Sequence, residues 1–243
     1  MLRITFIPAK ACIQSLLKLL NTKTKGETVM TVTPLHSGNY RCLVIDPPWN
    51  QGKTGRRTVR PHQTTTLDYS TMSKEELRCL PVSEWAASQA FLWLWATNSK
   101  DRKTGEPVLK IAFDLLETWN FTFYTMITWN KKTGPCPFGP YQVTTEHILF
   151  AYKGKCVFPR KCLGRMQTMF TEIPTAHSVK PVSFYNEIVK WFDGPRLDIF
   201  ARQKRDGFDG WGDQYGLLPE KVQRPKTLSN GKGANVQDNI SQA

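Results

Sequence analysis

The chain contains no run of about 18 uncharged apolar residues, the minimum for a membrane-spanning helix, so its composition argues against a membrane protein. The nearest approach, Ala11 to Leu20, is broken by Lys18 and lacks a small-residue cleavage site, which argues against a signal peptide. The six cysteines (12, 42, 79, 136, 156 and 162) include no Cys-x-x-Cys pair and no histidine at ligand spacing. Neither a zinc site nor a disulfide framework is expected, and a reducing cytosol with buried free thiols is the simplest setting. Internal repeats are absent, and 16 Gly and 16 Pro in 243 residues are ordinary globular values that exclude a collagen-like or disordered chain. Eight Trp and a 40% apolar content are enough to build a sizeable core.

Acids are scarce. The net charge is +13, and two windows carry most of it. Residues 47–67 hold Lys53, Arg56, Arg57 and Arg60 with no acid. Residues 130–165 hold Lys131, Lys132, Lys153, Lys155, Arg160, Lys161 and Arg165 against Glu146 alone. Charge clustered in this way suggests a polyanionic partner, most simply nucleic acid.

Runs rich in Val, Ile, Phe, Tyr and Trp predict strands at Arg41–Ile45, Ala90–Ala96, Phe121–Trp129, Glu146–Tyr152, Gln167–Thr171 and Arg196–Phe200. Helical spacing links Val108, Ile111, Ala112, Leu115, Leu116 and Trp119, and again Tyr185, Ile188, Val189 and Phe192 behind Pro181. Ser73 ahead of Glu75 and Glu76 predicts a short capped helix. This alternation predicts a three-layer α/β sandwich. Asn50–Leu67 and Lys131–Gln142 read as irregular, and the polar segment from 219 to 243 as a frayed tail. The domain itself is expected over 30–218, behind an N-terminal extension 1–29. Lys25-Gly26-Glu27 can be encoded as a ribosome-binding sequence, which would place the natural start at Met30; the alternative is a docking helix at Ile13–Leu20.

The chemistry concentrates in Cys42-Leu43-Val44-Ile45-Asp46-Pro47-Pro48-Trp49, an apolar strand ending in a carboxylate, a stiff turn and an aromatic. Ligands of open α/β sheets gather at the carboxyl ends of strands. The two prolines stiffen the turn and remove N–H donors, leaving carbonyls to accept. A carboxylate and a carbonyl side by side can hold the two hydrogens of an exocyclic amine on a base stacked on Trp49.

Asp46-Pro47-Pro48-Trp49 resembles the motif of the amino-methyltransferases that modify adenine at N6, and further segments resemble their MT-A-70 branch. These are Tyr69-Ser70-Thr71-Met72-Ser73, Phe91-Leu92-Trp93-Leu94-Trp95, Glu146-His147 with Tyr152-Lys153-Gly154, His177-Ser178-Val179-Lys180-Pro181, Leu197-Asp198-Ile199-Phe200-Ala201-Arg202 and Gly210-Trp211-Gly212-Asp213-Gln214. They run in family order over about residues 40–215.

The resemblance implies a Rossmann-like sandwich with a mixed, mostly parallel sheet, and S-adenosylmethionine as methyl donor. It implies catalysis at Asp46, Pro47, Pro48 and Trp49, with no metal. Asp46 would also border the donor. Lys180 would meet the donor's carboxylate beside a helix N-terminus, and Arg202, Asp213 and Gln214 would hold its ribose and adenine. Asp213 stands where the eukaryotic catalytic protein has Asn, and residues 28–39 contain no acid to contact the donor's adenine. On the acceptor side it implies Trp49, Tyr69 and Glu146, with Lys53, Arg56, Arg57 and Arg60 on a substrate loop. Glu146 reads equally as charge balance, and Tyr69 equally as core. The expected substrate is DNA, as in bacterial and phage members, acting in the cytoplasm of a bacterium or an infected host. RNA methylation and a non-catalytic nucleic-acid-binding paralogue are the alternatives.

Overall fold

Tyr40–Ile45 forms the central strand β1, and its side chains are divided between two cores. Leu43 and Ile45 enter one and Cys42 and Val44 the other, all buried. A strand buried on both faces reads as a continuous apolar run rather than an alternating one, which is what residues 42–45 show. The structure is a computed structural model and describes residues 36–51, 71–133, 140–174 and 179–216. The extension 1–29, Met30, the substrate loop from residue 52 with Lys53, Arg56, Arg57 and Arg60, Tyr69, His177, Ser178 and the tail 219–243 lie outside the described residues.

After β1 come α1 (Lys74–Arg78), α2 (Val82–Trp85), β2 (Ala86–Thr97), α3 (Val108–Thr118), β3 (Thr122–Asn130) and β4 (Thr145–Lys153). A 3-10 turn (Arg160–Cys162), β5 (Met169–Thr171), α4 (Val182–Trp191), β6 (Arg196–Ile199) and β7 (Asp209–Trp211) complete the described order. Ser73 caps α1 as expected, in a capping box with Glu76 that satisfies two otherwise unpaired N–H groups.

The strands form one sheet in the order β5-β3-β4-β2-β1-β6-β7. Only β4 runs against the others, antiparallel to both β2 and β3; the remaining pairings are parallel. The sheet is thus the mixed, mostly parallel one the family resemblance implied, with helices on both faces. On one face α3 buries Val108, Ile111, Ala112, Leu115 and Leu116 against Leu92, Leu94 and Leu149. On the other, α4 buries Phe184, Tyr185 and Ile188 against Val44, Trp93, Trp95 and Ile148.

Several details differ from expectation. β2 begins at Ala86, ahead of its apolar half. β6 stops at Ile199 because Phe200 turns into the left-handed region (φ 64°), where its N–H donates to the Trp211 carbonyl at 2.6 Å. The short α2 and β7 were not anticipated, being too brief to show a period. Cys42, Cys156 and Cys162 are free thiols, the state expected for most of the cysteines, and Cys79 is disulfide-bonded.

Candidate active site

The parallel strands β1 and β6 end side by side, and the chain reverses its spreading direction between them: β2 lies to one side of β1 and β6 to the other. Such a switch point opens a crevice outside the strand ends. A cleft lies there, lined by Asp46 after β1, by Asp198 of β6 and residues 200–203 beyond it, and by Val179 and Lys180 ahead of α4. Tyr185 of α4 and Arg205 complete its wall.

Asp46 is held at both ends. Its N–H donates to the Ile199 carbonyl at 3.3 Å, and its Oδ1 lies 3.1 Å from Lys180 Nζ. Burial pushes its carboxyl up from the ordinary value, Lys180 opposes, and nearby Glu146 adds to the rise. The Pro-Pro turn is fully specified. The Pro47 carbonyl accepts from Trp49 N–H at 2.8 Å and the Pro48 carbonyl from Met72 N–H at 2.9 Å. Each carbonyl has a second lone pair, so Pro47 keeps capacity to accept another hydrogen.

Trp49 requires a correction. The expected open stacking surface is a core side chain, 3% exposed, whose Nε1 donates to the Trp95 carbonyl at 3.2 Å. A large ring next to an apolar strand end finds more burial below the turn than above it.

Lys180 also differs from expectation. Rather than presenting a solvated ammonium to an incoming carboxylate, it is buried between two acids, with Nζ 3.1 Å from Asp46 and 2.8 Å from Glu146. The Trp95 ring lies 4.7 Å from Nζ and covers it. Burial works to lower the ammonium's pKa, but the two carboxylates outweigh it and hold it above the usual lysine range.

Glu146 reaches this edge because β4 is reversed. Its second residue pairs with Thr97 and with Trp129, near the carboxyl ends of β2 and β3. There Glu146 bridges Lys180 at 2.8 Å and Lys131 at 3.1 Å. Burial opposes its ionisation, yet the two lysines prevail and its pKa falls to about 2. The acid read as either pocket wall or charge balance is thus the centre of an ion-pair chain.

The cleft holds another acid, and this one is buried. Asp198, 3% exposed, accepts from Tyr185 Oη at 3.4 Å and pairs with Arg205 Nε at 3.2 Å. The Arg205 guanidinium lies 3.6 Å from the centre of the Tyr185 ring. Burial raises the Asp198 carboxyl to about 7 against the pull of Arg205. Sequence reasoning placed neither Asp198 nor Arg205 in the site. An acid flanked by fully buried Leu197 and Ile199 was the available signal, because such a group requires a partner.

Arg202 is among the residues that line the cleft. Asp213 is exposed and Gln214 half-buried in the turn after β7, and neither is among the cleft's lining residues. Among the described residues no group of three or more His, Cys, Asp or Glu is arranged to hold a metal ion. The lining, with carboxylates at 46 and 198, guanidinium groups at 202 and 205, and rings at 185 and 200, fits a zwitterion that also carries a sulfonium and a nucleoside.

Comparison with known proteins agrees with this geometry. Residues 40–214 match the MT-A70 family model. The chain is 28% identical over 190 residues to the uncharacterized protein C22G7.07c of Schizosaccharomyces pombe, covering 73% of this chain and 42% of that one. It is 26% identical over 196 residues to human N(6)-adenine-specific methyltransferase METTL4, covering 72% and 38%. It is also 26% identical over 181 residues to N6-methyladenosine RNA methyltransferase MTA1 of Cryphonectria parasitica, covering 72% and 51%. The chain thus spans between about two fifths and half of these relatives. With the match running from the first residue of β1 to the turn beyond β7, and so across the whole sheet and its switch-point cleft, the chain belongs to the MT-A70 family.

Proposed function

We propose that the chain transfers a methyl group from S-adenosylmethionine to the exocyclic N6 amine of adenine in nucleic acid, with DNA as the first substrate to test. One observation carries the reading: Asp46, at the switch-point end of β1, is fixed through one carboxylate oxygen by the buried Lys180. Its orientation is therefore set before a substrate arrives, and preorganisation of this kind costs nothing at the moment of reaction.

Adenine's amine is a weak nucleophile because its lone pair is delocalised into the ring. Acceptance of its two hydrogens by Asp46 and the Pro47 carbonyl draws the nitrogen toward tetrahedral geometry and localises that pair. Bound S-adenosylmethionine would supply an electrophilic sulfonium methyl, its sulfur leaving as a thioether, and the amine would give up one proton to Asp46 or to water as it takes the methyl group. Arg202 and Arg205 are the cations that would face the donor's carboxylate, and Asp46 and Asp198 the anions that would face its ammonium. Holding the reactants in line accounts for much of the acceleration such a site can offer. In a duplex the base must first leave the stack, at a cost of roughly a few kcal/mol.

RNA is the second reading, supported by the likeness to the RNA methyltransferase MTA1 of Cryphonectria parasitica. The non-catalytic alternative is disfavoured by the intact Asp46-Pro47-Pro48-Trp49 and its pairing with Lys180. The deciding assay incubates purified protein and methyl-labelled donor with duplex DNA, single-stranded DNA and RNA, followed by digestion and nucleoside identification. N6-methyladenine in a DNA arm is the expected result, and label in RNA alone selects the second reading. Label in cytosine, or in none of the three, rejects the proposal.

A further inference from the structure

Lys131 lies outside the cleft and in none of the segments that carry the family resemblance, yet it ends the ion-pair chain that begins at Asp46. The chain alternates in sign: Asp46 Oδ1 to Lys180 Nζ at 3.1 Å, Lys180 Nζ to Glu146 Oε2 at 2.8 Å, and Glu146 Oε1 to Lys131 Nζ at 3.1 Å. Each oxygen of Glu146 thus has its own lysine. The Lys131 side chain is only 13% exposed, so this is not a solvated surface pair, which would contribute little. Its backbone is fixed too: Lys131 directly follows β3, and its N–H donates to the Thr144 carbonyl at 2.8 Å, extending the β3–β4 ladder by one step.

We propose that Lys131 is a positioning residue for methyl transfer, occupying the far oxygen of Glu146 so that Lys180 stays bridged to Asp46. The proposal rests on Asp46 being the acceptor of the substrate amine. With Lys131 present, two carboxylates and two ammonium groups balance. Without it, two carboxylates compete for one lysine in a site where charge is weakly screened. Lys180 is then drawn toward Glu146, and Asp46, whose pKa burial already raises, is the carboxyl that takes up a proton. A protonated Asp46 has lost acceptor capacity where an amine hydrogen must bind.

Other groups bear on this balance. Asp46 also feels Arg202, and it couples to the buried Asp198 and Tyr185 across the cleft. Glu146 acts on its neighbour His147, whose pKa burial lowers; Nδ1 of that ring faces Thr128 Oγ1 at 3.2 Å and Nε2 faces Asn98 Oδ1 at 3.0 Å. None of these replaces an ammonium at Glu146 Oε1.

The test uses the full chain with its Asp carboxyl carbons labelled, and follows their titration by NMR in the absence of nucleic acid. The Asp46 signal is identified by its loss in Asp46→Asn. In Lys131→Met and Lys131→Gln the Asp46 midpoint moves to higher pH, while Lys131→Arg leaves it in place. In the transfer assay the two neutral variants lose at least about tenfold more activity between pH 8 and pH 6 than wild type, and Lys131→Arg restores the profile. An Asp46 titration unchanged in both neutral variants overturns the proposal, as does a pH-independent loss that Lys131→Arg fails to restore. Wild-type protein inactive on every nucleic acid rejects the functional reading itself, and the titration then reports the charge coupling alone.

Discussion

In the proposed mechanism Asp46 combines two properties that pull against each other: its surroundings resist ionisation, and it would have to be ionised to accept a hydrogen. Lys180 resolves the conflict by lying 3.1 Å away. Asp46→Ala is therefore expected to abolish transfer while leaving donor affinity within about tenfold, a change of about 1.4 kcal/mol. Calorimetry with the donor alongside the transfer assay checks both halves, and near-normal turnover removes Asp46 from the chemistry. The individual site residues were largely legible in the sequence, since Asp46, Lys180 and Glu146 stand in short, ordered motifs. Their mutual pairing was not. Lys180 reads as a cation waiting for a ligand because sequence shows a charge but not its neighbours, and the acids that neutralise it come from the turn after β1 and from β4. Trp49 was misread for a related reason: an aromatic after a strand is equally suited to stack on a ligand or to seal a core, and only the placement of Trp95 beside it decides.

At the scale of elements, long segments with a clear period fall where the spacing predicts, α3 with its whole apolar stripe; in α4 the buried stripe is Phe184, Tyr185 and Ile188, and the expected Val189 is exposed. Short segments such as α2 and β7 had too few residues to show a period. The direction of β4 was likewise invisible, because an antiparallel strand buried on both faces carries the same apolar run as a parallel one. Its far end shows how closely the connection is built. Gly154, just beyond β4, has φ +74°, and a Cβ there would stand 2.3 Å from the Ser88 carbonyl oxygen of β2. The atom it meets is backbone, which cannot rotate aside. Gly154→Ala is expected to destabilise the protein by at least about 2 kcal/mol, from left-handed strain plus the displaced strand. Chemical denaturation measures this, and a loss below about 0.5 kcal/mol shows that the β4 connection relaxes without cost.

For the whole molecule, the two buried acids give stability an uneven pH dependence. Glu146 has a folded pKa of about 2, below its ordinary 4.5. Its contribution is complete above pH 4.5 and is lost as pH falls toward 2, at most about 3 kcal/mol. Asp198 is the opposite case, raised from 3.8 to about 7. The folded chain holds that proton when the unfolded chain has released it, so this contribution declines as pH rises from about 4 to 7 and is level above. Melting temperature against pH is expected to fall on both sides of a maximum near pH 4 to 5 as far as these two groups govern it. Glu146→Gln removes the dependence on the acid side and Asp198→Asn the decline above it; slopes unchanged in both variants show that neither acid titrates as described. The reversal of β4 has one more consequence, for how the chain can change over time. Side chains alternate along a strand, so a shift of β4 by a single residue would seat Thr145 or His147 where Glu146 stands and turn the carboxylate to the other face. The phase of β4 is therefore fixed: an insertion passed into the strand reverses the polarity of the edge at which Glu146 meets Lys180.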